Sequence, residues 1–205
     1  MTKSKPYQYC LKFKYFSSVK FRTMVFFLVM ISATLCAQEI KINGIQRDGK
    51  LRWDDFPEKD DPNFSFDAYI KYYYTFNIPR FKLKNNVFVP AEVVGTLQFN
   101  QNESWVRPGK QNDELLTHEQ GHFNIGILTI REIMKELKSM RFQPHEKNPK
   151  SIFDGIVQKI KNKYNEMEKN YDLETNHSLD KENQEKWNSF FRKQLPELCD
   201  KPQKD

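Results

Sequence analysis

His118, Glu119 and His122 stand in the order His-Glu-x-x-His within the stretch Leu115 to Ile130, LLTHEQGHFNIGILTI, and these are the residues of the chain best suited to chemistry. On a helix, positions four apart lie one turn above each other, so the two imidazoles can reach one metal ion while the Glu reaches a water beside it. Zinc is the expected ion, with Glu119 as general base taking the water's proton and passing it to a leaving amine. The chain has four His in 205 residues, and a chance occurrence of the pattern has odds on the order of one in 200.

The pattern needs a helix, and the flanking residues provide one. Leu116, Phe123, Ile127, Ile130, Met134 and Leu137 fall on one apolar stripe, and His118, His122, Ile125 and Thr129 fall nearly opposite. Such a helix has two faces to bury, one on a core and one toward a cleft. Gly121 costs about 1 kcal/mol of helix propensity relative to Ala, which points to a close approach there. Asp113 is placed to cap the helix.

The start of the chain reads as an export leader. Lys3, Lys5, Lys12, Lys14, Lys20 and Arg22 come with no acid, and Met24 to Leu35 is apolar but too short to span about 30 Å of hydrocarbon. Cleavage after Ala37 is expected, with lipidation at Cys36 as an alternative that its preceding residues fit poorly. Residues 1–37 hold six of the 33 basic side chains and none of the 27 acidic ones, which leaves 27 of each in the mature chain. A balanced mature charge supports neither nucleic acid nor an anionic surface as partner. Cys199 would be the single remaining cysteine, so no internal disulfide is expected. The remaining residues, 38–205, suit one domain, expected to be monomeric and without a stable membrane span.

Glu39 to Ile45 reads as a short strand, and Leu51 to Phe64 as a loop anchored by Trp53 and Phe56, its acids Asp54, Asp55, Asp60 and Asp61 solvated. From Phe66 to Ile78 apolar and polar residues alternate, which predicts a strand, and Val87 to Phe99 is a second extended segment. Tyr69, Tyr72, Tyr73 and Tyr74 read as packing residues, because no basic cluster interleaves with them. Past Pro144 and Pro149, Ser151 and Asp154 resemble a capping box for a helix over 151–170, and a third helix runs from about Asp180 to Leu195 with Trp187, Phe190 and Phe191 inward.

A third metal ligand must come from elsewhere. Glu132 is ten residues past His122, about 15 Å along the helix, and His145 is farther still. A second helix running back antiparallel would return the chain to His122 at Tyr171 to Ser178, which offers Asp172, Glu174 and His177. His177 is the expected third ligand, with Asp172 holding an imidazole by its other nitrogen; a carboxylate ligand from Asp172 or Glu174 is the alternative. Tyr171 and Arg107 are the candidate oxyanion stabilisers.

The motifs LRWDDF with the following FDAYIKYYY, LLTHEQGHFNI, and YDLETNHS followed by Gln184 and Trp187 occur in that order. In them the chain resembles a bacterial family of predicted secreted zinc-dependent proteases, catalogued as a domain of unknown function. Ser178 stands where that pattern expects Gly. The resemblance implies zinc and export. The longer metzincin pattern is absent, since Ile125 and Leu128 occupy the positions of its Gly and His.

The expected fold is α+β and zincin-like, a small antiparallel sheet packed against three helices with the motif helix central. The expected function is a secreted zinc metallopeptidase acting on a peptide or protein laid along a strand edge. Two other readings stay open. One is a non-catalytic exported module with structural zinc, which needs a fourth protein ligand such as Cys199 or His145; the other is a zinc hydrolase of non-peptide substrates.

Overall fold

A computed structural model describes residues 38–60, 65–146 and 148–196. The expected leader, with Cys10 and Cys36, lies outside the described residues, as do Asp61 and Cys199. Among the described residues no helix is long and apolar enough to cross a membrane.

The chain is α+β, with three helices and a small sheet among the described residues. The sheet holds strands β1 (Gln38–Ile42), β2 (Ile45–Gln46), β4 (Tyr72–Asn77) and β7 (Val94–Phe99) in the order β2-β1-β7-β4. Two small ladders stand apart, one of β3 (Ala68–Tyr69) with β8 (Trp105–Val106), the other of β5 (Phe81–Lys84) with β6 (Val87–Pro90). Helix α1 (Asp113–Ser139) crosses the molecule, and α2 (Pro149–Thr175) and α3 (Lys181–Gln194) pack on it.

The sheet is mixed, which corrects the expected antiparallel one. β1 runs parallel to β7, Gln38 opposite Gly95 and Lys41 opposite Gln98, whereas β4 pairs with β7 antiparallel. A period-two pattern carries no direction, and the roughly fifty residues between β1 and β7 are ample for the crossover that a parallel pair needs. Both long extended segments are also broken. The first stops after Tyr69 and resumes at Tyr72, where the N–H of Lys71 donates to Ser104 Oγ (2.9 Å) and its carbonyl accepts from Asn100 N–H (2.8 Å). The second is split between the β5–β6 hairpin and β7; the hairpin turns at Asn85 and Asn86, both at positive φ, as a two-residue turn requires. The alternation itself holds, with Tyr72, Tyr74 and Phe76 inward and Tyr73, Thr75 and Asn77 outward.

Helix α1 is buried on two sides. Phe123, Ile127, Ile130, Ile133 and Leu137 are fully buried, and so are Ile125 and, nearly, Thr129 on the histidine side. Each large apolar side chain removed from water contributes about 1.5–3 kcal/mol. The cap is Asn112 instead of Asp113: its side chain accepts from Leu115 N–H at 2.8 Å, and Asp113 sits in the first turn. On α2 the cap is Asn148, accepting from Ser151 N–H, with Pro149 opening the helix, and Asp154 pairs with Lys150 in place of a capping box. The helix also runs past Asn170 to Thr175 before Asn176, His177 and Ser178 turn it at positive φ. Buried Tyr171 and Thr175 hold that last turn in place.

Asp55 is not solvated as its acidic neighbourhood suggests. It is buried, accepts from Arg52 N–H at 2.8 Å and pairs with Arg47 at 2.5 Å, closing the short 3-10 turn at Trp53–Asp55. The loop before it is tied to α1 by Gln120, whose amide accepts from Leu51 N–H (2.8 Å) and donates to the Gly49 carbonyl (3.0 Å).

At Gly121 the side chain of Tyr171 on α2 packs directly against the α1 backbone. A Cβ there would lie 2.1 Å from Tyr171 Oη and 2.4 Å from Tyr171 Cζ. Gly121→Ala should therefore destabilise the protein by about 1–3 kcal/mol through overpacking, against the gain of about 1 kcal/mol that Ala brings on helix propensity alone. Chemical denaturation checks this; a variant more stable than the parent would mean that Tyr171 is free to move.

Candidate metal centre

The site forms where two antiparallel helices each present residues four apart. Helix α1 offers His118 and His122, and α2 offers Glu168 and Asp172 opposite them. Asp172 Oδ1 lies 3.2 Å from His118 Nε2 and 2.9 Å from His122 Nε2. His118, His122 and Asp172 are a group that could hold a metal ion, their ligand atoms all within 4.8 Å of one another.

The Nδ1 atoms of both imidazoles are held from behind. His118 Nδ1 faces Gln184 Oε1 and Thr175 Oγ1, each at 3.3 Å. The Thr175 hydroxyl gives its own proton to the Tyr171 carbonyl (2.7 Å), and the Gln184 amide donates to Tyr171 Oη (2.8 Å), so both oxygens turned toward His118 accept. His122 Nδ1 faces the Glu168 carboxylate, which also accepts. A proton on each Nδ1 meets these acceptors and leaves Nε2, on the Asp172 side, as the nitrogen a metal would take; with no metal, the protonated His122 also donates from Nε2 to the Asp172 carboxylate.

Charge and burial set the protonation around this point. Burial pushes the His118 pKa down, and the hydrogen bond to Asp172 offsets part of that. Burial would lower His122 as well, but the Glu168 charge and the bonds to Asp172 and Glu168 outweigh it and hold the imidazole well above its ordinary value. For Asp172 burial raises the pKa and the two imidazoles reverse the sign, holding it below the carboxylate range. Glu119 is different: it is buried, its Oε2 has no hydrogen-bond partner, and burial pushes its pKa up to about 7.

These residues line a cleft of about 960 Å³. Its walls include Phe66, Tyr69, Tyr72 and Tyr74 from the sheet side and Asn165 and Leu179 from the helical side. β4 runs along it with β7 as its single strand neighbour among the described residues. The donor set fits a metal. Two imidazole nitrogens and a carboxylate oxygen are ligand types that divalent metals take, and the unpartnered buried carboxylate of Glu119 stands next to His118 in the chain.

His118, Glu119 and His122 are brought together as the spacing predicts. His177 lies on the rim, its side chain 56% exposed and its ring stacked on Phe66, with Nδ1 3.4 Å from the same Asp172 Oδ1. The role of holding an imidazole by its other nitrogen, expected of Asp172, belongs to Glu168, while Asp172 meets both Nε2 atoms. Glu174 accepts from Trp187 Nε1 (2.9 Å) and faces α3. His145 is exposed in the connection between α1 and α2. Neither oxyanion candidate reaches the cleft. Tyr171 is fully buried, donates to the His118 carbonyl (3.0 Å) and stacks on the His118 ring, and Arg107 pairs with Asp60 and Asp67. Glu168, Thr175 and the hydroxyl of Tyr72 join the site without any motif to announce them. The repeat of a four-residue spacing, Glu168 to Asp172, antiparallel to His118 and His122, is the signal that points to the first.

A family model described as "Bacterial protein of unknown function (DUF922)" matches residues 68–178, more than half of the chain and the part that carries β4, α1 and the facing turns of α2. No curated protein and no solved structure matches the chain.

The raised Glu119 pKa makes a stability prediction for metal-free protein. A carboxyl whose folded pKa exceeds its unfolded value contributes stability that is complete below the unfolded pKa, 4.5, and lost as pH rises through about 7. Glu119→Gln removes the ionisation. In the presence of a chelator the variant should match the parent near pH 4.5 and exceed it by about 3 kcal/mol at pH 8, because each pH unit between the two pKa values is worth about 1.4 kcal/mol. Urea unfolding across that range checks it, and a constant difference would refute it.

Proposed function

The chain belongs to the bacterial DUF922 family, whose function is unknown, and we propose that it is a zinc-dependent hydrolase of peptide bonds with a zincin-like arrangement. The observation that carries this reading is the convergence of His118 Nε2 and His122 Nε2 on Asp172 in a cleft that also receives the unpartnered carboxylate of Glu119. His118, His122 and Asp172 would hold the metal, whose contribution when bound is Lewis acidity toward water and toward a carbonyl oxygen.

The remaining chemistry falls to the chain itself. Glu119 accepts the proton of the attacking water and returns it to the leaving amine, and the burial that raises its pKa in the metal-free protein makes its carboxylate a stronger base. The edge of β4 that no described strand pairs offers backbone donors and acceptors to an extended peptide, and the aromatic rings of the cleft wall offer apolar contact to its side chains. The basic, acid-free start of the chain and the apolar run after it support export, which would put the substrate outside the cytoplasm.

A second reading has its own observation. His177 Nδ1 also approaches Asp172 Oδ1, and if all four side chains bound the ion the site would be closed and structural, the mark of a non-catalytic exported module.

Two variants test the proposal. Glu119→Gln should bind zinc like the parent and lose about 10²- to 10⁴-fold in peptide hydrolysis, because an amide cannot accept the water's proton. Asp172→Ala should lose metal affinity far more than His177→Ala, read by chelator competition. A parent protein that binds zinc tightly and cleaves nothing in a broad peptide library, with His177→Ala as damaging as Asp172→Ala, would replace the enzyme by the closed structural site.

A further inference from the structure

Three elements meet behind His122. The ring presents Nδ1 to Glu168 Oε2 on α2, and the other oxygen of the same carboxylate, Oε1, accepts from the hydroxyl of Tyr72 on β4. Tyr72 is not free to go elsewhere. Its ring packs edge-on against Phe123 at 6.0 Å and against Tyr74 at 5.7 Å, and it lies over Gly126, where an added Cβ would come within 3.1 Å of it. Glu168 is therefore held on one side by a fixed tyrosine and on the other by the imidazole, with a quarter or less of its side chain exposed.

The two histidines are supported differently. His118 leans on neutral partners, Gln184 and Thr175, whereas His122 leans on a carboxylate tied to the strand that lines the cleft. A carboxylate behind an imidazole fixes its tautomer and makes its Nε2 more basic, and loss of such a partner typically costs about 10- to 100-fold in metal affinity.

We propose that Glu168 and Tyr72 are positioning residues that orient His122 and couple it to strand β4, so that the metal-facing imidazole and the substrate-facing strand are set by one hydrogen-bonded unit. The proposal rests on the reading of His122 as a metal ligand. Neither residue touches the reacting atoms. Their effect passes through the Nδ1 proton of His122, and Tyr72 keeps the carboxylate in the position from which it accepts that proton.

The test uses the full mature chain and three variants, Glu168→Met, Glu168→Gln and Tyr72→Phe. The first readout is the Nδ1–H resonance of His122 in ¹⁵N-labelled protein, with and without zinc. The parent should show it as a slowly exchanging, hydrogen-bonded proton; Glu168→Met should lose it, and Glu168→Gln, which keeps an acceptor oxygen, should retain it. The second readout is zinc affinity by chelator competition, expected to fall about 10- to 100-fold in Glu168→Met and less in Glu168→Gln and Tyr72→Phe. A resonance and an affinity unchanged in Glu168→Met would overturn the proposal. Should Glu168→Met fail to fold, absence of the protected resonance from both the parent and Glu168→Gln would overturn it as well. A parent that binds no zinc yet shows the protected proton would sink the hydrolase reading and leave the hydrogen-bonded unit standing.

Discussion

The antiparallel contact between α1 and α2 is the constraint on which the site depends. Two helices that run side by side in opposite directions can match a four-residue spacing on one with a four-residue spacing on the other, and here His118 and His122 meet Asp172 and Glu168. Slide α2 by one turn and Asp172 and Glu168 each leave the nitrogen they now meet. The register is held by Tyr171, which fills the space that Gly121 leaves, donates to the His118 carbonyl and stacks on the His118 ring. A helix-weakening glycine thus sits one residue before a histidine because the neighbouring helix must come that close.

The sheet supports the same contact from the other side. α1 lies on β7 near Gly95, where an added Cβ would be 2.6 Å from Met134 Sδ, and on β4 through Tyr72 over Gly126. With one flank against the sheet and the other against α2 and α3, the helix has little surface left for water. Burial is what raises Glu119 toward neutrality, and the same burial forces each imidazole to find partners for both ring nitrogens. Burial lowers both imidazoles; at His118 the bonds to Asp172 and Gln184 offset only part of that, whereas at His122 the Glu168 charge and the bonds to Asp172 and Glu168 outweigh it.

Local pattern was enough for a good part of this. The motif's placement on a helix, the two buried sides of that helix, the inward and outward faces of β4 and the span of α3 follow from periodicities of 3.6 and 2, which are properties of a single segment. That α2 returns the chain to His122 follows from helix rise and from the short connection between the helices.

What no single segment contains was decided by packing. The parallel pairing of β1 with β7 depends on which edge of the sheet is open when the chain returns, and alternation is the same in both directions. The continuation of α2 to Thr175 depends on burial of Tyr171 and Thr175, without which YDLET reads as a loop. The same burial turns Tyr171 from a candidate stabiliser in the cleft into the spacer between the helices, and brings Asp172 to both Nε2 atoms with His177 on the rim. Sequence alone names residues that are able to ligate, because that is a matter of side-chain chemistry and spacing along one helix; which carboxylate meets which nitrogen is a matter of the register between two helices, and only side-chain volumes across the interface set it.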